Sequence, residues 1–174
     1  MMETEFQPKV FVSTYAAYND GRGLEGKWFD LEGFSDKAEF IEAAEAFVSE
    51  ADPELMFADY DAIPNGMIGE CWIKPEVWDW LKLDDAERAI VTTYRAGVDE
   101  NASIETALEA YAGTYDSELD WAYEYVDNTG LLSDVSEFVS QYFNYEAFAR
   151  DARLGGNMLF VSNNASTLDV FYNT

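Results

Sequence analysis

Negative charge is the feature that most constrains what this chain can fold into. Its 174 residues include 35 Asp and Glu against 10 Lys and Arg, which gives a formal net charge of −25. Self-repulsion of that size destabilises any compact state. The chain is nevertheless 48% hydrophobic and 16% aromatic, so it has the apolar surface needed to build a core. We therefore expect a folded protein whose surface carries a broad negative field.

The acids are spaced among aromatic residues and are not gathered in a tail. No base lies between Lys37 and Lys74, where there are nine acids, and none lies between Arg95 and Arg150, where there are twelve. A block of like charges would indicate a disordered tail, whereas this spacing indicates folded acidic faces. A solvated face or a salt-loving host would also give an acidic chain, so charge alone leaves that interpretation open.

The composition excludes several kinds of site. The chain has no histidine, so Ser-His-Asp triads, Cys-His pairs and His-ligated metals cannot form. Its single cysteine, Cys71, excludes an intramolecular disulfide and a thiolate zinc site, and we expect it to be a small buried residue. So acidic a chain would repel a phosphate backbone, which makes nucleic acid an unsuitable partner. We expect no cofactor and no metal.

Carboxylate chemistry is the enzymatic alternative that the composition leaves. Acids are abundant enough for a two-carboxylate hydrolase, but no spacing singles out one pair. The acids from Asp116 to Asp127 resemble a calcium-binding loop, but Trp121 stands at the sixth position, where that loop needs glycine. We therefore expect a protein that is not an enzyme.

The sequence favours an intracellular, cytoplasmic protein. It has no run of about 18 apolar residues that would span a bilayer. Its first residues, MMETEFQPKV, lack the basic and apolar regions of a signal peptide. A lone cysteine agrees with a reducing compartment.

Local patterns in the N-terminal third predict a small antiparallel sheet covered by one helix. Alternation predicts strands over 9–15, 25–31 and 55–60. Turn residues at 18–21 separate the first two strands. An apolar stripe predicts a helix that begins at Ser35 or Asp36 and ends near Ser49.

The middle of the chain is predicted to be helical. Pro75 suits a first helical position, and Asp84 or Asp85 can cap a second helix that ends near Gly97. Ser103 can cap a short third helix.

The last third returns to mixed structure. Its patterns predict, in order, a strand over 111–115, a helix over 117–130 that ends at Gly130, one or two helices within 134–152, and a hairpin of 158–162 with 167–172 around Asn163-Asn164. Because strands and helices segregate instead of alternating, the fold class is α+β. We expect three sub-domains, over 1–66, 67–107 and 108–174.

A dense aromatic run lies late in the chain. Tyr142, Phe143, Tyr145 and Phe148 stand close together, beside Arg150. Such residues suit a buried core, and they equally suit a subunit interface. The pattern leaves both interpretations open.

Three segments together resemble the ArdA antirestriction proteins, which mobile elements such as plasmids and transposons encode. They are YNDGRGLEGKWFDL at 18–31, FADYDAIP at 57–64 and GLLSDVSEFVSQYFNYEAFARD at 130–151, the last similar to the family's antirestriction motif. Two positions depart from the family's pattern. Ser136 stands where relatives often have proline, and Glu25 stands where histidine is frequent.

The resemblance implies a protein that imitates DNA. ArdA-type proteins are elongated acidic homodimers of small sub-domains, and their carboxylates imitate duplex phosphates. They occupy the DNA-binding groove of type I restriction–modification enzymes, chiefly the methyltransferase core, and so protect incoming DNA. The alternative is an acidic adaptor or regulator that binds a basic protein surface unrelated to DNA enzymes.

Two sets of residues follow from this interpretation. The predicted phosphate mimics are Glu39, Glu42, Glu45, Glu54, Asp99, Glu100, Glu105, Glu109, Glu118 and Glu124. The predicted dimer-interface residues, in and after the antirestriction motif, are Leu131, Leu132, Val135, Phe138, Tyr142, Tyr145 and Phe148.

Overall fold

The computed structural model describes residues 7–22, 25–48 and 50–173. The chain forms two compact units, Met1–Arg88 and Ala89–Thr174. Within the described residues there are eight α-helices and three small antiparallel sheets. The predicted α+β class is therefore confirmed, while the predicted division into three sub-domains stays a prediction.

The first unit combines a three-stranded sheet, a two-stranded hairpin and short helices. Its strands are β1 (Lys9–Thr14), β2 (Lys27–Asp30), β3 (Leu55–Asp61), β4 (Ile68–Gly69) and β5 (Trp72–Ile73). Its helices are α1 (Tyr15–Asn19), α2 (Lys37–Phe47) and α3 (Glu76–Leu81), with a 3-10 turn at Leu31–Gly33. Strand β1 is central and antiparallel to both β2 and β3, and β4 pairs with β5.

Helix α2 covers the three-stranded sheet, as predicted. Phe40 of α2 is fully buried. Its ring centroid lies 5.9 Å from those of Phe29 in β2, Phe57 in β3 and Trp78 in α3. The helix begins where Asp36 Oδ1 accepts the N–H of Glu39 at 2.9 Å. The predicted end of this helix, near Ser49, lies outside the described residues.

Helix α1 was not predicted. Strand β1 ends at Thr14, one residue before the predicted end, because the Thr14 hydroxyl accepts the N–H of Ala17 at 3.1 Å and caps a helix. The predicted turn over 18–21 was therefore wrong for its first two residues, which belong to α1. Asp20 and Gly21 do form a turn, where Gly21 has a φ of 74°.

The β4–β5 hairpin was also missed. Its two-residue strands are too short for alternation to show, and Glu70 and Cys71 form the turn between them. Cys71 is exposed there. The expectation that Cys71 is buried was wrong, because it occupies a turn at the surface.

The second unit carries the remaining helices and a second three-stranded sheet. Its helices are α5 (Ile104–Ala110), α6 (Glu118–Thr129), α7 (Glu137–Ser140) and α8 (Tyr145–Leu154), and the boundary between the units falls inside α4 (Asp85–Gly97). Its strands are β6 (Tyr111–Tyr115), β7 (Met158–Ser162) and β8 (Leu168–Tyr172). Strand β8 is central, antiparallel to β6 and β7.

Most of the predicted boundaries of the helices between Pro75 and Gly130 are confirmed by their caps. The Asp84 carboxylate accepts the N–H of Glu87 at 2.9 Å, and Ser103 caps α5 through the N–H of Thr106 at 3.0 Å. Helix α6 ends at Gly130, whose φ of 64° is the left-handed conformation that glycine adopts without strain. Pro75, in contrast, directly precedes α3 instead of opening it.

Aromatic rings fill the core of the second unit. Trp121 of α6 is 2% exposed, and its ring packs edge-on against Phe160 of β7 at 5.1 Å. Phe171 of β8 is fully buried, with its ring 5.0 Å from Tyr94 and 5.9 Å from Tyr111. Most acids are left on the outside of these packed elements, whereas Asp169 of β8 is buried. No helix among the described residues is both long and apolar enough to cross a membrane.

Candidate partner-binding surface

Basic side chains can neutralise only part of the acidic surface. With 10 Lys and Arg against 35 acids, most carboxylates have no cation of their own. Some cations are shared between two acids: Arg22 lies 3.1 Å from Asp20 and 2.9 Å from Glu25. These groups are all well exposed, so such pairs contribute little to stability. The surface therefore keeps a large uncompensated negative charge.

Three of the predicted phosphate mimics lie on the solvent side of α2. Glu39, Glu42 and Glu45 are all exposed. Glu39 also ties the residue before the cap to the helix, because its Oε2 accepts both the N–H and the hydroxyl of Ser35 at 2.7 Å. The Ser35 N–H, followed by the Ser35 hydroxyl, holds the pKa of Glu39 below its ordinary value. Glu39 is therefore ionised at neutral pH, but one of its carboxylate oxygens already accepts hydrogen bonds from Ser35.

Glu45 and Glu54 come from different elements but line the same cavity. This open cavity has a volume of about 580 Å³, and we call it the α2 cavity. Its walls come from the start of α1, from α2, from β3 and the residues before it, and from the β4–β5 hairpin. Within the described parts of the chain, neither glutamate has an ion pair. The fold thus brings together two acids that are nine residues apart in sequence.

Four more predicted acids lie on the second unit, all of them exposed. Asp99 and Glu100 follow α4, and the Asp99 carboxylate accepts the N–H of Asn101 at 2.9 Å. Glu105 and Glu109 stand one turn apart on α5. At that spacing the two carboxylates lie on one face of the helix, where they repel each other and attract cations.

The two predicted acids on α6 differ in how available they are. Glu118 is half-buried, and its carboxylate lies 3.0 Å from Arg153 Nε, so its charge is already paired. Glu124 is exposed and accepts the hydroxyl of Tyr115 at 3.5 Å. Burial, and after it the neighbouring Glu124 carboxylate, raises the pKa of Tyr115. Of the ten predicted acids, Glu118 is the one least able to meet a partner's cation.

Part of the predicted dimer-interface segment is an exposed apolar patch. Phe138 is 71% exposed and Tyr142 is 75% exposed, and their rings lie 5.6 Å apart. Leu131 and Val135 are exposed as well, while Leu132 is half-buried. We call Leu131, Val135, Phe138 and Tyr142 the apolar patch. Among these four residues, Phe138 and Tyr142 have their rings in contact. Large exposed apolar side chains in contact mark interaction surfaces in soluble proteins.

The remaining predicted interface residues pack inside their own unit. Phe148 of α8 stacks on Trp121 with ring centroids 5.8 Å apart and an interplanar angle of 4°. Tyr145 lies 4.3 Å from the ring of Tyr123. Both are half-buried against the core of the second unit. The aromatic run is therefore divided, with Phe148 packed against the core and Tyr142 exposed, and its part in a subunit interface stays a prediction.

Sequence reasoning missed two exposed tryptophans. Trp28 of β2 is 41% exposed, with its ring 5.6 Å from that of Phe11 and 5.2 Å from Lys9 Nζ. Trp72 of β5 is 45% exposed and lines the α2 cavity. A tryptophan in a strand suggests core, and because the Glu70-Cys71 turn was itself not predicted, no local signal marked Trp72 as exposed. No group of His, Cys, Asp and Glu within the described ranges is arranged to hold a metal ion.

Comparison with known proteins identifies the family. A family model described as antirestriction protein (ArdA) matches residues 10–166, nearly the whole chain. No curated protein matches the sequence. The matched region contains every predicted phosphate mimic and every predicted interface residue. The chain therefore belongs to the ArdA family of antirestriction proteins.

Proposed function

We propose that this protein inhibits type I restriction–modification enzymes by imitating DNA. In this proposal its surface carboxylates stand in for duplex phosphates and occupy the DNA-binding groove of the methyltransferase core. The protein acts without catalysis in the cytoplasm of the cell that receives the mobile DNA. The observation that carries the proposal is the set of exposed acids on both units that have no ion pair within the described residues, beginning with Glu42 and Glu45 on α2 and with Glu105 and Glu109 on α5.

The amount of charge suits a DNA-binding groove. Duplex DNA carries one charge for each ~1.7 Å of its axis, so the 25 net charges of one chain correspond to roughly 40 Å of duplex. Two copies would correspond to roughly 85 Å, or about 25 base pairs. Lys and Arg that line such a groove would meet a similar charge per length on the inhibitor. The negative charge is then a functional requirement that outweighs its cost in self-repulsion.

We further propose that the protein works as a homodimer joined through the apolar patch. Phe138 and Tyr142 are the most exposed aromatic side chains in the described residues. Aromatic groups at the centre of an interface carry much of its binding energy. A dimer would also double the charged length that one inhibitor presents.

A competition assay tests the mechanism. A type I methyltransferase core is bound to labelled duplex DNA, and the protein is titrated in at two salt concentrations. We expect displacement near stoichiometry that weakens steeply at higher salt, because the contacts replace counterions as phosphate contacts do. Displacement that does not depend on salt would contradict mimicry and indicate apolar docking. No displacement at any salt would favour the acidic-adaptor alternative.

A series of neutralised variants tests whether the charge is distributed. Exposed ion pairs contribute about 0–1 kcal/mol each, so Glu105→Gln should change the inhibitory concentration by less than about fivefold. Replacing eight of the predicted acids together should abolish inhibition. Circular dichroism checks that the multiple variant is folded. Loss of all inhibition from a single exposed Glu→Gln substitution would refute distributed mimicry.

A further inference from the structure

The α2 cavity has the size of a binding site. Its volume of about 580 Å³ falls within the range of roughly 300–1,000 Å³ that is typical of ligand pockets. It opens at the surface of the first unit, between α2, β3 and the β4–β5 hairpin. A side chain of a partner protein could therefore enter it without unfolding the unit.

The cavity has an apolar and aromatic lining. Ile41, Leu55, Phe57 and Ile73 contribute apolar side chains, and Trp72 adds an indole ring. The Trp72 ring packs so closely against Gly69, its cross-strand partner, that a β-carbon at Gly69 would collide with it. This packing holds the ring in place. Such a lining accommodates the aliphatic stem of a long side chain, with an aromatic surface for a flat charged group.

The charges at the cavity select for a cation. Glu45 and Glu54 line it, against the single ammonium of Lys37. Neither glutamate has an ion pair within the chain segments that the structure describes. The Trp72 ring already attracts positive charge, since Lys74 Nζ lies 6.0 Å from its centroid. An incoming cation would find two carboxylates at a cavity lined by a single ammonium group, that of Lys37.

Tyr15 of α1 lines the same cavity and lies close to a further carboxylate, that of Glu70. Partial burial, and after it the Glu70 carboxylate and the Cys71 thiol, raises the pKa of Tyr15, so the phenol stays neutral. Glu70 therefore contributes a third negative charge near the cavity, and Tyr15 contributes no charge of its own.

We propose that the α2 cavity receives an arginine side chain from the DNA-binding groove of the restriction enzyme. This inference rests on the proposed function, because grooves that bind DNA are lined by arginine and lysine. Arginine fits better than lysine because a planar guanidinium bonds two carboxylate oxygens and stacks on an indole ring. The cavity thus provides one specific contact in an interface whose other contacts are exposed carboxylates paired with basic side chains of the groove.

Paired neutralisation distinguishes an anchor from diffuse charge. The Glu45→Gln/Glu54→Gln variant removes two charges from the cavity, and Glu105→Gln/Glu109→Gln removes two exposed charges of the same predicted set from α5. The dissociation constant of each full-length variant for the methyltransferase core is measured at one salt concentration. We expect about a tenfold weakening or more for the cavity pair, and about twofold for the control pair.

Each outcome decides one claim. If the wild-type protein displaces DNA and the two double variants weaken binding equally, the anchor is overturned and mimicry stands. If the wild-type protein fails to displace DNA, the proposed function is overturned together with the anchor. Thermal unfolding of both variants should match the wild type, because the replaced side chains are exposed.

The native cysteine allows a second and independent measurement. Cys71 is exposed, lines the cavity and is the only thiol in the chain, so a benzophenone maleimide labels this one position. Illumination of the complex should cross-link the label to a peptide that carries an arginine of the DNA-binding groove. The control is a Cys71→Ser/Asp127→Cys variant labelled in the second unit. A cross-link from Cys71 to a surface outside that groove would overturn the anchor.

Discussion

Phe148 and Tyr142 lie six residues apart in the antirestriction motif and its continuation, yet their replacement by alanine should have opposite consequences. Complete burial of a phenylalanine makes its truncation cost about 3–5 kcal/mol. Phe148 is half-buried, so we expect about 2 kcal/mol from the cavity and up to about 1 kcal/mol more from the lost stack on Trp121. Phe148→Ala should therefore destabilise the second unit by about 2–3 kcal/mol.

Tyr142→Ala is the matched comparison. The Tyr142 ring is 75% exposed and meets Phe138 edge-on at 5.6 Å. Its truncation should change the stability of an isolated chain by no more than about 0.5 kcal/mol. If the apolar patch joins two copies, the same change should weaken the dimer. Phe148→Ala thus acts on folding and Tyr142→Ala on assembly.

Urea unfolding at two protein concentrations separates these effects. The midpoint for Phe148→Ala should fall by about 1 M at both concentrations, because its effect lies within one chain. The wild-type midpoint should fall on dilution below the dimer dissociation constant, because the dimer then dissociates, and it should approach the midpoint of the Tyr142→Ala variant. Sedimentation velocity should show monomers for Tyr142→Ala. Equal midpoint shifts for the two variants, or a Tyr142→Ala variant that remains dimeric, would refute the division of the aromatic run into core and interface.

Two further predictions concern hydrogen-bonded carboxylates. The pKa of Glu39 is lowered from 4.5 in the folded state, so its bonds to Ser35 stabilise the protein above that pH and are lost as the pH falls through the folded pKa. The Glu39→Gln variant should therefore unfold at a lower urea concentration than the wild type at pH 7. In acid the urea midpoints of the two proteins should become equal. A difference in midpoint that persists in acid would contradict this. Asp169 is 4% exposed and accepts from Thr114 at 2.6 Å and Asn163 at 2.9 Å. Asp169→Ala should cost about 2–3 kcal/mol in urea unfolding, whereas the exposed control Asp116→Ala should cost almost nothing.

The sequence predicted the elements whose signals are local. Helix α2 could be predicted because Phe40 and Ala44 recur on one side and Asp36 supplies a cap. Gly130 marked the end of α6 for an equally local reason, since glycine accepts a positive φ. Helix α1 and the β4–β5 hairpin gave no such signal, because their elements span only five and two residues. Elements that short depend on a cap or a cross-strand partner more than on a periodic pattern.

The candidate surface was predictable to the same extent. Exposed acids such as Glu42 follow from the polar side of a helix, so their exposure could be expected. The α2 cavity could not be, because it exists only where a helix, a strand and a hairpin distant in sequence meet. The pairing of Glu118 with Arg153 was hidden for the same reason, since 35 residues separate them. The exposure of a side chain is largely set by local sequence, whereas contacts between residues distant in sequence depend on the tertiary structure.

The placement of acids along the helices explains how so charged a chain can fold. An acid stands in the first turn of every α-helix from α2 to α8, whereas a base stands in the last turn of α4 and α8 only. The first turn presents unpaired N–H groups and the positive end of the helix dipole, so an acid there is favourable by about 0.3–1 kcal/mol. Many short helices provide many such positions. The architecture therefore spreads negative charge over the surface at sites where the backbone itself partly offsets the repulsion, as the proposed imitation of DNA would require.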